Sequence, residues 1–157
     1  MTYWVIFVLA SWLAVFLLLR FQGIKEYWPA ALISTLVVYV VDIKGVELGA
    51  YRFEQAFLIN GVPVIYLVTV AALGLIYMRF YPRGHWEQLV YIIFIAGLFL
   101  FVEYLMMKVG NFQHNNNWNL LDSYVLDLFG LMIISWLSTR VKVQEPLERR
   151  LRKRAKI

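Results

Sequence analysis

The chain has 157 residues, of which 62% are hydrophobic, 17% aromatic and 16% charged, and its mean hydropathy is +0.67. A soluble domain of this size is expected to be about one quarter charged and about half apolar. This composition excludes a disordered chain, a nucleic-acid-binding domain and almost any soluble enzyme. The chain contains no cysteine, which excludes disulfides, thiolate metal sites and cysteine nucleophiles.

Five apolar segments follow one another along the chain, and their lengths approach the length that crosses a bilayer. They cover residues 3–19, 28–41, 63–80, 86–107 and 120–137. The second segment is short unless its polar end is shielded, because it meets Asp42 and Lys44 directly after Val41. All five are predicted to be helices, because a backbone in lipid must satisfy its own hydrogen bonds and no segment shows the alternation of a barrel strand. The first is interpreted as an uncleaved span rather than a signal peptide, because no basic segment precedes it.

The connecting segments are more polar than the spans. Residues 45–60 carry mixed charge and predict a loop with an interfacial segment around residues 53–59. Asn60-Gly61-Val62-Pro63 combines a chain break with a helix start, and Tyr81-Pro82-Arg83-Gly84 predicts a tight turn. Residues 111–119 are rich in asparagine and predict a loop in solvent.

Lysine and arginine indicate the orientation of the bundle. With the N-terminus outside, the inner segments hold twelve basic residues and the outer segments hold Lys44, Arg52 and Lys108. Basic residues favour the cytoplasmic side, so the N-terminus is predicted outside and the C-terminus inside. The predicted fold class is therefore an all-α integral membrane bundle of five transmembrane helices.

The chain divides into two regions. Residues 1–140 are predicted to form the transmembrane domain, and residues 141–157 form a basic cytoplasmic tail. Leu147, Leu151 and Ala155 recur every four residues, so the tail suits a short amphipathic helix on anionic lipids. The alternative is that its basic residues only fix the topology. Nucleic-acid binding is disfavoured, because the rest of the chain offers no element that reads bases.

The acidic residues of the predicted spans gather towards the outer side. Asp42 lies at the outer end of the second span, Glu103 about one turn before the outer end of the fourth, and Asp122 and Asp127 in the first half of the fifth. A carboxylate at mid-bilayer costs about 2.5–3.5 kcal/mol on insertion scales, so such residues normally face the bundle interior or a water-filled cavity. The alternative is that each acid caps a helix, pairs with Lys44, Arg52 or Lys108, or forms a hydrogen bond between helices.

These residues predict an outward-facing polar pocket. Its charged centre is Glu103 and Asp127, and its other candidate residues are Asp42, His114, Asn116, Trp118, Asn119 and Ser123. Clustered carboxylates and amides suit a hard cation, a proton relay or a cationic substrate. Common soluble-enzyme motifs such as HExxH, GxSxG and GxGxxG are absent, no catalytic residue is assigned, and the sequence leaves the cofactor and any metal open.

The last three spans resemble a family of small, uncharacterised five-helix membrane proteins of Bacillus and related spore-forming Firmicutes. The matching residues are Tyr81-Pro82-Arg83-Gly84, Glu103-Tyr104, His114, Trp118-Asn119-Leu120 and Ser123. The resemblance covers residues 80–135 and implies a bacterial cell-membrane protein in which Glu103, His114 and Trp118 act together. Asp127 stands where the family often has asparagine, and the basic tail replaces a more apolar terminus.

Three functions remain open from the sequence. The leading hypothesis is a non-enzymatic membrane protein that binds or passes a small cation, a proton or a polar lipid headgroup. The second is a structural or accessory subunit of a larger membrane complex, with a membrane-protein partner or a second copy of the chain. The third is an intramembrane enzyme that uses Glu103 and His114 as acid and base, which requires the two groups within hydrogen-bond reach.

Overall fold

The computed structural model describes residues 2–54, 57–115 and 117–141, and the part described is mostly helical. The basic tail from residue 142 and Asn116 lie outside the described residues. The all-α prediction is confirmed, because the strands are only two or three residues long. In chain order the elements are α1 (Thr2–Glu47), β1 (Tyr51–Phe53), β2 (Leu58–Ile59), β3 (Val62–Pro63), α2 (Val64–Arg79), α3 (His85–Lys108), β4 (Phe112–His114) and α4 (Leu120–Arg140).

Helix α1 folds back on itself, so that its two arms lie beside the same helix. The Trp12 indole donates to the carbonyl of Val68 at 3.1 Å, and the Ser34 hydroxyl donates to the carbonyl of Val70 at 3.4 Å. In a straight helix Trp12 and Ser34 would be about 33 Å apart, at 1.5 Å per residue. The first arm (Tyr3–Leu19) and the second arm (Phe21–Glu47) therefore pack as a pair, which gives five helical segments.

Three of these segments are long and apolar enough to cross a membrane, namely Phe21–Glu47, His85–Lys108 and Leu120–Arg140. Tyr3–Leu19 and Val64–Arg79 are apolar but shorter. The outer surfaces of the helices expose many large apolar side chains, including Phe21, Phe94 and Trp86. By length and composition, the structure thus supports a membrane protein with three candidate spans.

The second arm of α1 is longer than the sequence predicts. The predicted segment ends at Val41, whereas the helix continues through Asp42 and Lys44 to Glu47. Partners for the polar side chains explain the difference, because Asp42 accepts a hydrogen bond from Tyr51 and Lys44 pairs with Glu47 at 2.6 Å.

Two predicted loops pair with each other at one end of the helices. β1 and β4 are antiparallel, with Tyr51 opposite His114 and Phe53 opposite Phe112. The pairing continues on both sides, through the Glu54 amide to the carbonyl of Asn111 and the Asn115 amide to the carbonyl of Ala50, both at 2.9 Å. Residues 49–54 and 111–115 form what we call the cap, which covers one end of the helices.

A tight hairpin follows the cap and leads into α2. Asn60 and Gly61 have φ values of 51° and 80°, and they join β2 to β3 by the two-residue Asn-Gly loop that suits a type I′ turn. A Cβ at Gly61 would overlap Val46, so the hairpin packs closely on the end of α1. The predicted break at this point is confirmed. Of the interfacial segment predicted around residues 53–59, Phe53 lies in β1 and Leu58–Ile59 form β2.

The buried side chains form two clusters. One lies among the helices and includes Val15, Leu75 and Met78. Here Gly74 brings α2 close to the second arm of α1, because a Cβ at Gly74 would overlap the hydroxyl of Ser34. The second cluster lies under the cap and consists of Trp4, Tyr51, Phe53, Val62 and Phe112.

Candidate functional site

A cavity of about 150 Å³ runs beneath the cap, between the helices. Most of its lining is aliphatic or aromatic, but three carboxyl groups reach it from three different helices: Asp42 from α1, Glu103 from α3 and Asp127 from α4. No lysine, arginine or histidine is among the described residues that line it. The cavity therefore combines apolar walls with a surplus of acidic groups.

The cap supplies a direct partner for Asp42. The Tyr51 hydroxyl donates to Oδ1 of Asp42 at 2.7 Å, and Asp42 is buried. Burial raises the pKa of Tyr51 well above its ordinary value, and the charge of Asp42 raises it further, so the hydroxyl keeps its proton and stays a donor. Tyr66 lies beside the same carboxyl, yet Oδ2 of Asp42 has no hydrogen-bond partner among the described residues.

A second contact joins the cap to α3 and α4. His114 lies on β4, and its Nε2 is 2.8 Å from Oε1 of Glu103 and 3.3 Å from Oγ of Ser123. The indole of Trp118 donates to the same hydroxyl of Ser123 at 2.9 Å. The side chains of His114 and Glu103 are only 10% and 18% exposed, so water competes weakly for this contact. The structure thus brings together the three residues that the resemblance groups, and adds Ser123.

The geometry around His114 tests whether Glu103 and His114 suit an acid–base pair. Glu103 and His114 are within the hydrogen-bond reach that an acid–base pair requires. A serine–histidine–acid relay, however, needs the hydroxyl and the carboxylate on different ring nitrogens. Here Ser123 and Glu103 both approach Nε2, so this arrangement holds the cap in place but does not activate the Ser123 hydroxyl.

The face of α4 that lines the cavity has a helical spacing. Ser123, Asp127, Gly130 and Ile134 recur at intervals of four, three and four residues, and all four line the cavity. No hydrogen bond or ion pair involves Asp127 within the described part of the chain. A Cβ at Gly130 would meet no atom within 4 Å, so this glycine leaves space open beside Asp127.

Three of the predicted pocket residues, Asn119, His114 and Trp118, do not line the cavity. Asn119 is the N-cap of α4: its side chain accepts from the amides of Leu121 and Asp122, and Asp122 accepts from the amide of Asn119 in return. This reciprocal capping box explains both side chains without a ligand. Asn116 lies outside the described residues. His114 and Trp118 do not line the cavity, but they contact Glu103 and Ser123, which do.

The sequence interpretation missed the aromatic part of the site. Trp4, Tyr51, Phe53 and Phe112 line the cavity from the side of the cap, and Tyr66 adds a ring from α2. Their ring centroids lie 5.1–6.2 Å apart in successive pairs. The alternation of aromatic and charged residues in Tyr51-Arg52-Phe53 is the sequence signal that indicates a short strand with both rings on one face.

The carboxyl groups do not converge as metal ligands would. Among the described residues, no group of three histidine, aspartate or glutamate side chains is close enough to hold a metal ion. Calcium takes six to eight oxygen ligands at about 2.3–2.6 Å, which requires such convergence. The acids are instead distributed around the cavity.

Comparisons of the chain with protein-family models, with curated proteins and with solved structures found no match.

Proposed function

We propose that this chain is an integral membrane protein that binds or passes a small cation in the cavity beneath the cap. The observation that carries the proposal is the distribution of charge: Asp42, Glu103 and Asp127 line one cavity, and no basic side chain lines it among the described residues. A buried acidic group without a cationic partner is costly, so a bound cation would stabilise these carboxyl groups.

The sequence also predicts a proton or a polar lipid headgroup as the occupant, and the same cavity suits a proton or a headgroup that carries a cationic part. All of them share positive charge, and Asp127 is the group best placed to meet it. Asp42 already accepts from Tyr51, and Glu103 already contacts His114, whereas Asp127 has no described polar partner. We therefore assign Asp127 and the Oδ2 of Asp42, which has no hydrogen-bond partner among the described residues, as the two groups that contact the cation, with Glu103 beside them.

In the membrane we propose five spans, with the N-terminus outside and the cap on the outer face. The helix directions support this orientation. Lys44, Arg52 and Lys108 lie at the capped end, while Arg79 and Arg140 lie where α2 and α4 end on the opposite side. The shorter helices then cross beside the three long ones, and the exposed apolar side chains contact lipid.

The family resemblance and the basic tail are consistent with the proposed orientation, in which the C-terminus lies in the cytoplasm. We propose a bacterial cell-membrane protein of the small five-helix family, whose basic tail (residues 141–157) contacts anionic lipids on the cytoplasmic side. Each basic residue near such a surface contributes about 1 kcal/mol of attraction.

Native mass spectrometry of the protein, extracted gently from its own membrane, tests the proposed function. We expect the wild type to retain a small cationic ligand whose mass is lost in Asp127→Asn. Glu47→Gln is the matched control, because Glu47 is an exposed carboxyl that pairs with Lys44 outside the cavity. Retention of the same mass by folded Asp127→Asn would contradict the proposal. A partner chain at fixed stoichiometry without any small ligand would favour the accessory-subunit hypothesis instead.

A further inference from the structure

We infer that the occupant of the cavity is an organic ammonium ion with a compact apolar body, about the size of one six-membered ring. The inference rests on the proposed function and names the chemical class of the cation. It depends on three features of the cavity: an unsatisfied carboxylate oxygen, aromatic walls and a small volume.

Asp42 supplies the first feature. The residue is 7% exposed and lines the cavity, and its Oδ1 is held by the Tyr51 hydroxyl. Its Oδ2 is buried without a hydrogen-bond partner among the described residues. Leaving a buried acceptor unsatisfied costs about 1–3 kcal/mol, and more for a charged group. An ammonium N–H that donates to Oδ2 would remove this cost and neutralise the charge together.

The aromatic side chains supply the second feature. Trp4, Tyr51, Phe53, Tyr66 and Phe112 line the same end of the cavity as Asp42. The face of an aromatic ring attracts an ammonium group within about 6 Å of the ring centroid, and aromatic cages recognise organic ammonium ligands by this effect. A hard inorganic ion gains little from such walls, because it prefers a full shell of oxygen ligands. The walls and the scattered acids therefore favour an organic cation over a metal ion.

The volume supplies the third feature. An engineered apolar cavity of about 150 Å³ accommodates benzene, and the cavity here has about the same volume. The apolar lining from Val37, Val70 and Ile134 continues below the acids, so the ligand's body would lie there with its ammonium group near the cap.

Isothermal titration calorimetry of the protein in lipid nanodiscs at neutral pH tests the inference. The probes are benzylammonium, its neutral analogue benzyl alcohol, potassium and calcium. We expect wild-type protein to bind benzylammonium with a Kd at least tenfold lower than that for benzyl alcohol. Asp42→Asn should raise the Kd for benzylammonium at least tenfold, whereas Glu47→Gln should leave it unchanged.

Each outcome separates the inference from the proposed function. Comparable binding of benzyl alcohol and benzylammonium to wild-type protein would overturn the inference even if Asp42→Asn failed to fold, since that comparison needs no variant. Binding of potassium or calcium that depends on Asp42, without binding of benzylammonium, would overturn the organic ligand but preserve the cation site. No binding of benzylammonium at millimolar concentration would also overturn the inference. The proposed function is tested separately, by whether native mass spectra show a small cationic ligand retained by the wild-type protein.

Discussion

The hydroxyl of Tyr51 donates to Oδ1 of Asp42 at 2.7 Å, and this one bond ties the cap to the second arm of α1. It spans only nine residues of sequence, yet it connects a strand to a buried carboxyl in the wall of the cavity. The bond therefore attaches the cap directly to the wall of the cavity.

Removing this hydroxyl should destabilise the protein. In Tyr51→Phe the Asp42 carboxyl loses its hydrogen bond while remaining buried, and we expect a loss of about 1–3 kcal/mol in the free energy of unfolding. The double variant Tyr51→Phe with Asp42→Asn should lose less than the sum of the single changes, because the two side chains interact. Tyr39→Phe is the control, since it removes a more exposed hydroxyl bonded to Asn60. Strict additivity in chemical denaturation would contradict this coupling.

The contact between His114 and Glu103 should hold the cap closed. His114→Ala removes the bonds from β4 to both Glu103 and Ser123. A hydrogen bond to a charged group contributes about 1.5–3 kcal/mol, so backbone amides of β1 and β4 should exchange with deuterium roughly ten- to a hundredfold faster. Asn117→Ala, an exposed change in the same loop, should have little effect. Equal exchange in both variants would show that His114 does not secure the cap.

Two glycines on helices should respond to alanine in opposite directions. A Cβ at Gly45 would overlap the ring and hydroxyl of Tyr51, so Gly45→Ala should cost about 1–3 kcal/mol of stability by forcing the two apart. Gly97 is exposed, and a Cβ there meets nothing within 4 Å, so Gly97→Ala should stabilise α3 by about 0.5–1 kcal/mol. Thermal unfolding in one detergent measures both. A lower midpoint for Gly97→Ala than for Gly45→Ala would contradict the packing described.

The cap was harder to predict from sequence than the helices. The bounds of α3 and α4 follow from long apolar segments, and the Asn60-Gly61 turn follows from its residues. The pairing of β1 with β4 joins residues about sixty positions apart, and neither strand exceeds three residues, so no local pattern specifies it. For the same reason Tyr51 and Trp4 were not recognised as part of the site, although Asp42 and Glu103 were.

The fold-back of α1 is another feature that composition does not reveal. The structure keeps helical geometry through residues 20–27, where the predicted spans leave a gap. The stripe of Ser123 and Asp127, by contrast, follows from helical periodicity, because residues four apart share one face. Local spacing thus predicts which side of a helix faces the cavity, but contacts distant in sequence decide which residues complete it.

The orientation can be measured without removing any native cysteine, because the chain has none. Asn117→Cys places an exposed thiol at the capped end, and His85→Cys places one at the start of α3 on the opposite side. We expect a membrane-impermeant maleimide to label Asn117→Cys in intact cells, and His85→Cys only after permeabilisation. The reverse pattern would place the cap in the cytoplasm.

The most direct test of the cation site is to fill the cavity without changing its charge. Gly130 lies on the cavity-lining face of α4 with open space beside it, whereas Gly97 lies on an exposed face of α3, so leucine at either position adds the same side chain in different surroundings. Native mass spectra of the gently extracted variants should show the retained ligand in Gly97→Leu and its loss in Gly130→Leu. Equal retention of that mass by both folded variants would show that the ligand binds elsewhere and would contradict the account.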